Sequence, residues 1–184
     1  MSRVLVFLAE GFEEIEGLTV VDLCRRAGIE TETVSITDKP SVVGSHGIEI
    51  GADTTLSAAD FAAADMIVLP GGMPGTKNLE ACEPLMAKVD EFIATGKKVS
   101  AICAAPTILG HRGHLKGLKA GCYPGRESEL EGANISFDKV SVAGNIITSR
   151  GLGTAIEFAL AIIESLTDKS TADKIGQSVV YLPV

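Results

Sequence analysis

Val99-Ser-Ala-Ile-Cys-Ala-Ala-Pro-Thr107 decides how this chain folds. Lys97-Lys98-Val99-Ser100-Ala101-Ile102, bounded by Gly96, predicts a short buried strand. The residues after Cys103 are small and lead to Pro106, which suits a first helical turn because its missing N–H has no intrahelical partner there. Cys103 is therefore expected where a strand hands over to a helix N-terminus. That is the layout of a nucleophile elbow with cysteine in place of serine. The positive end of the helix and its unpaired N–H groups are expected to favour a thiolate. A buried, inert core cysteine fits the same local sequence, so the surroundings decide between the two.

Outward from this motif, strands and helices alternate. Arg3 to Leu8 reads as a buried parallel strand, and Gly11-Phe12-Glu13-Glu14 opens a helix running to about Ala27 and ended by Gly28. Glu30 to Ile36 predicts a second strand, and residues 39–56 a hairpin-like excursion. Ala58 to Ala64 predicts a short helix or turn, Met66 to Leu69 another buried strand, and Thr76–Leu79 with Pro84–Ala94 a broken helix. Residues 110–135 read as loop with a short strand at Leu118 to Cys122. Val140–Ala143 and Asn145–Thr148 form strands around a Gly144-Asn145 turn; Thr154–Leu166 is a buried helix and Asp168 caps a last one to about Gln177. This order predicts one α/β domain over residues 1–184, with a mostly parallel sheet and helices on both faces.

The totals exclude several function classes. The chain has 184 residues, 46% hydrophobic and 22% charged, and a net charge of −8. No basic run supports nucleic-acid binding. No apolar run approaches the roughly 18 residues of a membrane span. Val4 to Ala9 is short for a signal-peptide core and ends in Glu10. The four cysteines (24, 82, 103, 122) show no C-x-x-C pairing and read as thiols in a reducing cytoplasm. His46, His111 and His114 form no metal-ligand spacing with them, so neither a metal nor a cofactor is expected; His111 and His114 are assigned to a solvated loop.

Chemistry is expected where parallel strands end. Three post-strand segments qualify: Glu10-Gly-Phe-Glu-Glu-Ile-Glu16, Pro70-Gly-Gly-Met-Pro-Gly75 and Cys103. Cys103 would be the nucleophile or oxidisable thiolate. Backbone N–H groups at Gly71, Gly72 and Ala104 would hold an oxyanion. A carboxyl beside the sulfur must carry a proton or have its charge offset. Glu14 and Glu16 point to nearly opposite sides of a helix, so only one reaches Cys103. Glu16 is assigned, and Glu13 and Glu14 are read as complementing the helix dipole.

With those residues in place, the chain resembles the ThiJ/PfpI superfamily, in its branch around the parkinsonism-associated protein deglycase. The resemblance is carried by Gly11-Phe-Glu-Glu-Ile-Glu16, Arg25-Arg-Ala-Gly-Ile29, Val68-Leu-Pro-Gly-Gly72, Ala101-Ile-Cys-Ala-Ala-Pro106 and Thr148-Ser-Arg-Gly-Leu-Gly-Thr154. It implies a flavodoxin-like three-layer sandwich and a homodimer. It implies a reactive, easily oxidised Cys103 with a protonated Glu16 as its hydrogen-bond partner. Gly71 and Gly72 fall on the family's oxyanion glycines, and Arg150 on an arginine that reaches the site across the dimer. Glu14 and His46 are further positions that would line the site. The activities implied are glutathione-independent glyoxalase action and deglycation of early protein adducts of methylglyoxal or glyoxal. Oxidative-stress sensing and chaperoning through Cys103 oxidation are the alternative.

This chain departs from the family pattern in three places. Tyr123 stands where relatives often place a histidine, and a phenol with a pKa near 10 is a poor base at neutral pH. Leu152 replaces a proline after Arg150, and His46 aligns with an arginine. Without a histidine beside Cys103, proteolysis is not expected.

Overall fold

The apolar runs become the centre of one sheet. In a computed structural model, which describes residues 2–181, the strands are β1 (Arg3–Leu8), β2 (Glu30–Ser35), β3 (Ser41–Val43), β4 (Glu49–Gly51), β5 (Thr54–Thr55), β6 (Met66–Leu69), β7 (Lys98–Ile102), β8 (Lys119–Ala120), β9 (Asn134–Ile135), β10 (Val140–Ala143) and β11 (Ile146–Ser149). The main sheet runs β10-β11-β7-β6-β1-β2-β5. All of its pairings are parallel except β10 with β11, which the Gly144-Asn145 turn joins as an antiparallel hairpin.

The helices are α1 (Glu14–Arg26), α2 (Gly75–Glu80), α3 (Glu83–Ala94), α4 (Pro106–His111), α5 (Ala155–Leu166) and α6 (Lys169–Ser178). Strand residues alternate between two apolar layers, as the pleat requires. Val4, Val6 and Leu8 of β1 pack with Val20 of α1 and Phe158 and Ile162 of α5. Leu5 and Phe7 pack on the other face with Leu79 of α2, Leu85 and Phe92 of α3 and Ile108 of α4. Helices therefore cover both faces of a mostly parallel sheet, as expected. Asp168 caps α6, its carboxylate accepting the Thr171 N–H at 2.8 Å.

The element boundaries differ from expectation where tertiary contacts set them. Of the two alternatives for residues 58–64, a short helix or a turn, the chain takes turns. The 39–56 excursion contains the β3–β4 hairpin, but its end returns as β5 to the edge of the main sheet beside β2. The strand expected at 118–122 shrinks to Lys119–Ala120, which pairs with β9 rather than with the main sheet. Residues 103–105 are a turn, and α4 begins only at Pro106. His111 is the last residue of α4 rather than a loop residue; His114 lies in the turns that follow. No helix among the described residues is long and apolar enough to cross a membrane.

Because β7, β6 and β1 are adjacent and parallel, their C-terminal ends meet at one edge. Register brings Leu69 beside Ala101, so the chain leaves β6 into Pro70-Gly71 next to the exit of β7 into Cys103.

Candidate active site

Cys103 occupies a tight position. Its φ is +65°, a left-handed conformation that costs a non-glycine residue energy unless its surroundings hold it. Here the surroundings do: its N–H donates to the Ser149 carbonyl at 3.0 Å, and its own carbonyl accepts the Tyr123 N–H at 2.7 Å. The residue is only 9% exposed. The turn thus lifts the sulfur toward the loop after β6, as a nucleophile elbow should.

Gly71 meets the sulfur from the other side. A Cβ on Gly71 would lie 2.5 Å from Cys103 Cβ and 2.7 Å from Glu16 Oε2, distances that atoms do not tolerate. Only glycine lets the three groups converge. Gly71 also ties α1 to the site, because its carbonyl accepts the Glu13 N–H at 2.9 Å.

Glu16, 1% exposed, reaches Cys103 from the first turn of α1. Its carboxyl shares a hydrogen bond with the Cys103 sulfur. It also accepts the Gly71 N–H at 3.0 Å and the Leu152 N–H. Burial pushes Glu16 up to about 7, with the nearby Glu13 adding to the rise. Burial and then the Glu16 charge push the Cys103 thiol up to about 12; the Gly72 and Ala104 N–H groups aimed at the sulfur pull it down. Two acids in contact thus compete for protons, and they titrate as a pair. A thiolate favoured by a helix terminus, expected from the sequence, is not what holds this sulfur: α4 starts three residues later, and burial dominates.

The expected oxyanion donors divide into two roles. Gly72 and Ala104 direct their amides at the sulfur. Gly71 does not, because its N–H is committed to Glu16. The Leu152 amide on Glu16 was not foreseen from the sequence. It belongs to the Gly151 loop, where a Cβ on Gly151 would sit 3.9 Å from Glu16 Oε1 and 3.5 Å from the Tyr123 ring. Tyr123 is thus a neighbour of the site across Gly151, half exposed, with its backbone rather than its hydroxyl holding Cys103.

The other acidic residues of α1 act locally. Glu13 is the N-cap, its carboxylate accepting the Glu16 N–H at 2.9 Å. Glu14 turns away from Cys103. It accepts the His46 N–H at 2.7 Å and faces the His46 ring at 2.9 Å and Ser45 Oγ at 3.3 Å. Burial pushes Glu14 up, but these bonds outweigh it and hold the carboxyl down at about 2. Glu14 and His46 therefore fasten the 44–46 loop to α1. His46 Nδ1 also lies 3.9 Å from Glu13 Oε1, so these three residues bring one ligand atom each within 4.8 Å of one another. No local pattern marks that grouping, since His46 is 32 residues from Glu14.

Arg150 lies beyond Gly151, with its guanidinium 5.4 Å over the Phe137 ring. The remaining thiols are unlike Cys103. Cys24 is fully buried, and burial alone raises it to about 12; Cys122 is 1% exposed and raised to about 11, chiefly by burial.

The chain as a whole is similar to known proteins. The model of the DJ-1/PfpI family matches residues 2–165. The chain belongs to the DJ-1/PfpI family. It is 36% identical to the Arabidopsis thaliana protein DJ-1 homolog B over 99% of its own length, and spans 42% of that plant protein. It is 31% identical to the Caenorhabditis elegans glutathione-independent glyoxalase DJR-1.2, over 90% of this chain and 88% of that one. Among solved structures, Toxoplasma gondii DJ-1 in an oxidized form superposes over 100% of both chains with a TM-score of 0.95 at 38% identity. The fold is thus the flavodoxin-like sandwich of the DJ-1 structures.

The pairing of Glu16 with Cys103 makes a prediction about pH. The proton lost near pH 7 comes from Glu16, and the Cys103 thiol keeps its own to far higher pH. Alkylation of Cys103 by iodoacetamide should therefore stay slow through neutrality and rise only toward high pH. In Glu16→Gln the rise should move to lower pH, because the carboxylate charge and hydrogen bond that raise the thiol are gone. Following the Cys103 peptide by mass spectrometry against pH checks this, and an unchanged profile in the variant contradicts the assignment.

Proposed function

We propose that this member of the DJ-1/PfpI family is a cysteine-dependent, glutathione-independent glyoxalase or deglycase. Its substrates are small reactive aldehydes, methylglyoxal and glyoxal, or the early adducts they form on proteins. One observation carries the reading: a buried carboxyl, raised to about 7, stands against a sulfur that also faces two backbone N–H groups. The name of the nematode relative supports it.

The geometry suggests a sequence of steps on methylglyoxal. The Cys103 sulfur adds to the aldehyde carbon, and the Gly72 and Ala104 amides stabilise the resulting alkoxide. Protonation of that oxygen gives a hemithioacetal. Glu16, held near 7 by burial, takes the proton from the former aldehyde carbon and returns it to the neighbouring carbon through an enediol. The product at this stage is a thioester of Cys103. Water cleaves it to lactate and restores the thiol, so the net change is methylglyoxal plus one water. No external oxidant or reductant enters. Gly71 keeps Glu16 in place for both proton transfers. The site has no imidazole in contact with Cys103 among the described residues, which disfavours amide cleavage by an activated thiolate.

A second reading uses the same atoms. Oxidation of Cys103 by two equivalents of a peroxide, through a sulfenate to a sulfinate with each peroxide reduced to water or an alcohol, would place new oxygens against the Gly72 and Ala104 amides and against a protonated Glu16. The oxidized form of the Toxoplasma structure favours this reading. The chain would then act as an oxidative-stress sensor or chaperone. A homodimer in the cytoplasm completes the proposal.

Cys103→Ser should abolish lactate formation from methylglyoxal while the far-ultraviolet circular dichroism stays that of the parent; sustained turnover would refute the catalytic role. Mild peroxide should add two oxygens to the Cys103 peptide before any other cysteine peptide changes. Equal oxidation of all four cysteines would remove the sensing reading. Sedimentation equilibrium should return twice the chain mass of 19.1 kDa, and a monomer at micromolar concentration would exclude the homodimer.

A further inference from the structure

Three oxygens crowd one ring nitrogen where the loop between β3 and β4 meets the start of α1. His46 Nδ1 lies 2.9 Å from Glu14 Oε2, 3.0 Å from Ser45 Oγ and 3.9 Å from Glu13 Oε1. A ring nitrogen carries at most one proton, so it can donate to only one of them. Glu13 and Glu14 are buried, at 8% and 3% exposed, whereas the His46 side chain is 68% exposed. The three residues come from two separate segments. Each offers one ligand atom within 4.8 Å of the other two.

Glu13 is the member with an oxygen to spare. Its Oε2 accepts the Glu16 N–H at 2.9 Å, but among the described residues its Oε1 accepts no hydrogen bond and faces His46 Nδ1 from too far to make one. A carboxylate more than nine-tenths buried with one oxygen unmatched is costly unless a further group meets it. Glu14 is held in place by the His46 N–H at 2.7 Å, and the loop fits so closely that a Cβ on Gly44 would collide with its carboxyl. Metal bonds of about 2.0–2.2 Å to imidazole and carboxylate put neighbouring ligand atoms about 3 Å apart. The Glu14–His46 pair already has that spacing, and Glu13 Oε1 would have to close in by about 1 Å. Two carboxylates outweigh the roughly half-unit positive charge of the helix end. His46 has no ligand spacing with the cysteines, and the fold supplies carboxylates instead. One imidazole with two carboxylates suits zinc and its neighbours better than magnesium or calcium, which prefer oxygen alone.

We propose that Glu13, Glu14 and His46 form a binding site for a divalent transition-metal cation of the zinc class. Glu13 Oε1, Glu14 Oε2 and His46 Nδ1 are the donors, and water completes the coordination on the exposed side of His46. The cation ties the 44–46 loop to the start of α1 more firmly than the Glu14–His46 contact alone. The unfolded chain does not hold these donors together, so the ion stabilises the folded one. The site uses no atom of the Glu16–Cys103 pair, and it stands whether or not Cys103 is a catalyst.

Zinc chloride titrated into the full chain and followed by calorimetry should show one equivalent bound. His46→Ala removes an exposed side chain and should abolish that binding. Glu13→Gln, which keeps an oxygen for the Glu16 N–H, and Glu14→Gln should each weaken it by on the order of ten-fold or more. Cys103→Ser and His111→Ala should bind as the parent does; the second removes the rival imidazole between Glu80 and Glu129. X-ray absorption at the zinc edge of the parent should show nitrogen and oxygen neighbours without sulfur, a readout that depends on no variant folding. Saturating zinc should also raise the Tm of the parent and leave that of His46→Ala unchanged. No binding by the parent, binding that survives His46→Ala, binding lost in Cys103→Ser or His111→Ala, or sulfur in the spectrum overturns the site.

Discussion

The hydrogen bond between Glu16 and Cys103 is the contact on which this site depends, and it is an unfavourable one to bury. Two acids lie in contact in a nearly water-free position, and both cannot ionise cheaply. Burial therefore holds protons on both, raising Glu16 to about 7 and the Cys103 thiol to about 12. Gly71 and Leu152 supply amides to the carboxyl, and Gly72 and Ala104 supply amides to the sulfur. Each half of the pair thus has its own set of fixed dipoles. The proposed addition to a carbonyl and rearrangement of an enediol would use these groups to move one proton and to hold one negative charge.

That arrangement follows from sheet order. β7, β6 and β1 lie side by side and parallel, so the loop of each leaves at the same edge. The helix that follows β1 delivers Glu16, the loop after β6 delivers Gly71 and Gly72, and the turn after β7 delivers Cys103. Close approach is the limiting factor. With a Cβ on Gly71 the sulfur and the carboxyl would have to separate. The left-handed backbone at Cys103 is a local cost, held in place by hydrogen bonds to Ser149 and Tyr123 on separate segments.

The same edge explains why the acidic run of α1 is not one functional unit. Glu13, Glu14 and Glu16 diverge as soon as the helix begins. One caps the helix, one fastens the 44–46 loop, and one enters the site. Their carboxyl environments diverge accordingly, with Glu14 held at about 2 and Glu16 raised to about 7. Hydrogen bonds from His46 win at Glu14; burial wins at Glu16.

Much of this was legible in the residues alone. β1, β6 and β7 stand out because continuous apolar runs bounded by glycine or proline have few other uses, and the choice of Glu16 over Glu14 needs only the angle between positions on a helix. The strand-turn motif around Cys103 marked the sulfur that the fold brings to Glu16. What the residues alone could not show depends on segments far apart in the chain. The Gly71 amide serves Glu16 rather than an oxyanion, the Leu152 amide joins it, and Glu14 meets His46; each is a contact between separate loops, settled only when the sheet aligns them. The start of α4 at Pro106 and the raised Cys103 pKa have the same origin, because burial by neighbouring segments outweighs the local helix end. Sequence by itself determined which residues can do chemistry here, since side-chain type and spacing are local properties. Tertiary structure decided which of them meet and how their proton affinities shift, because that depends on distances and desolvation that only the folded chain creates.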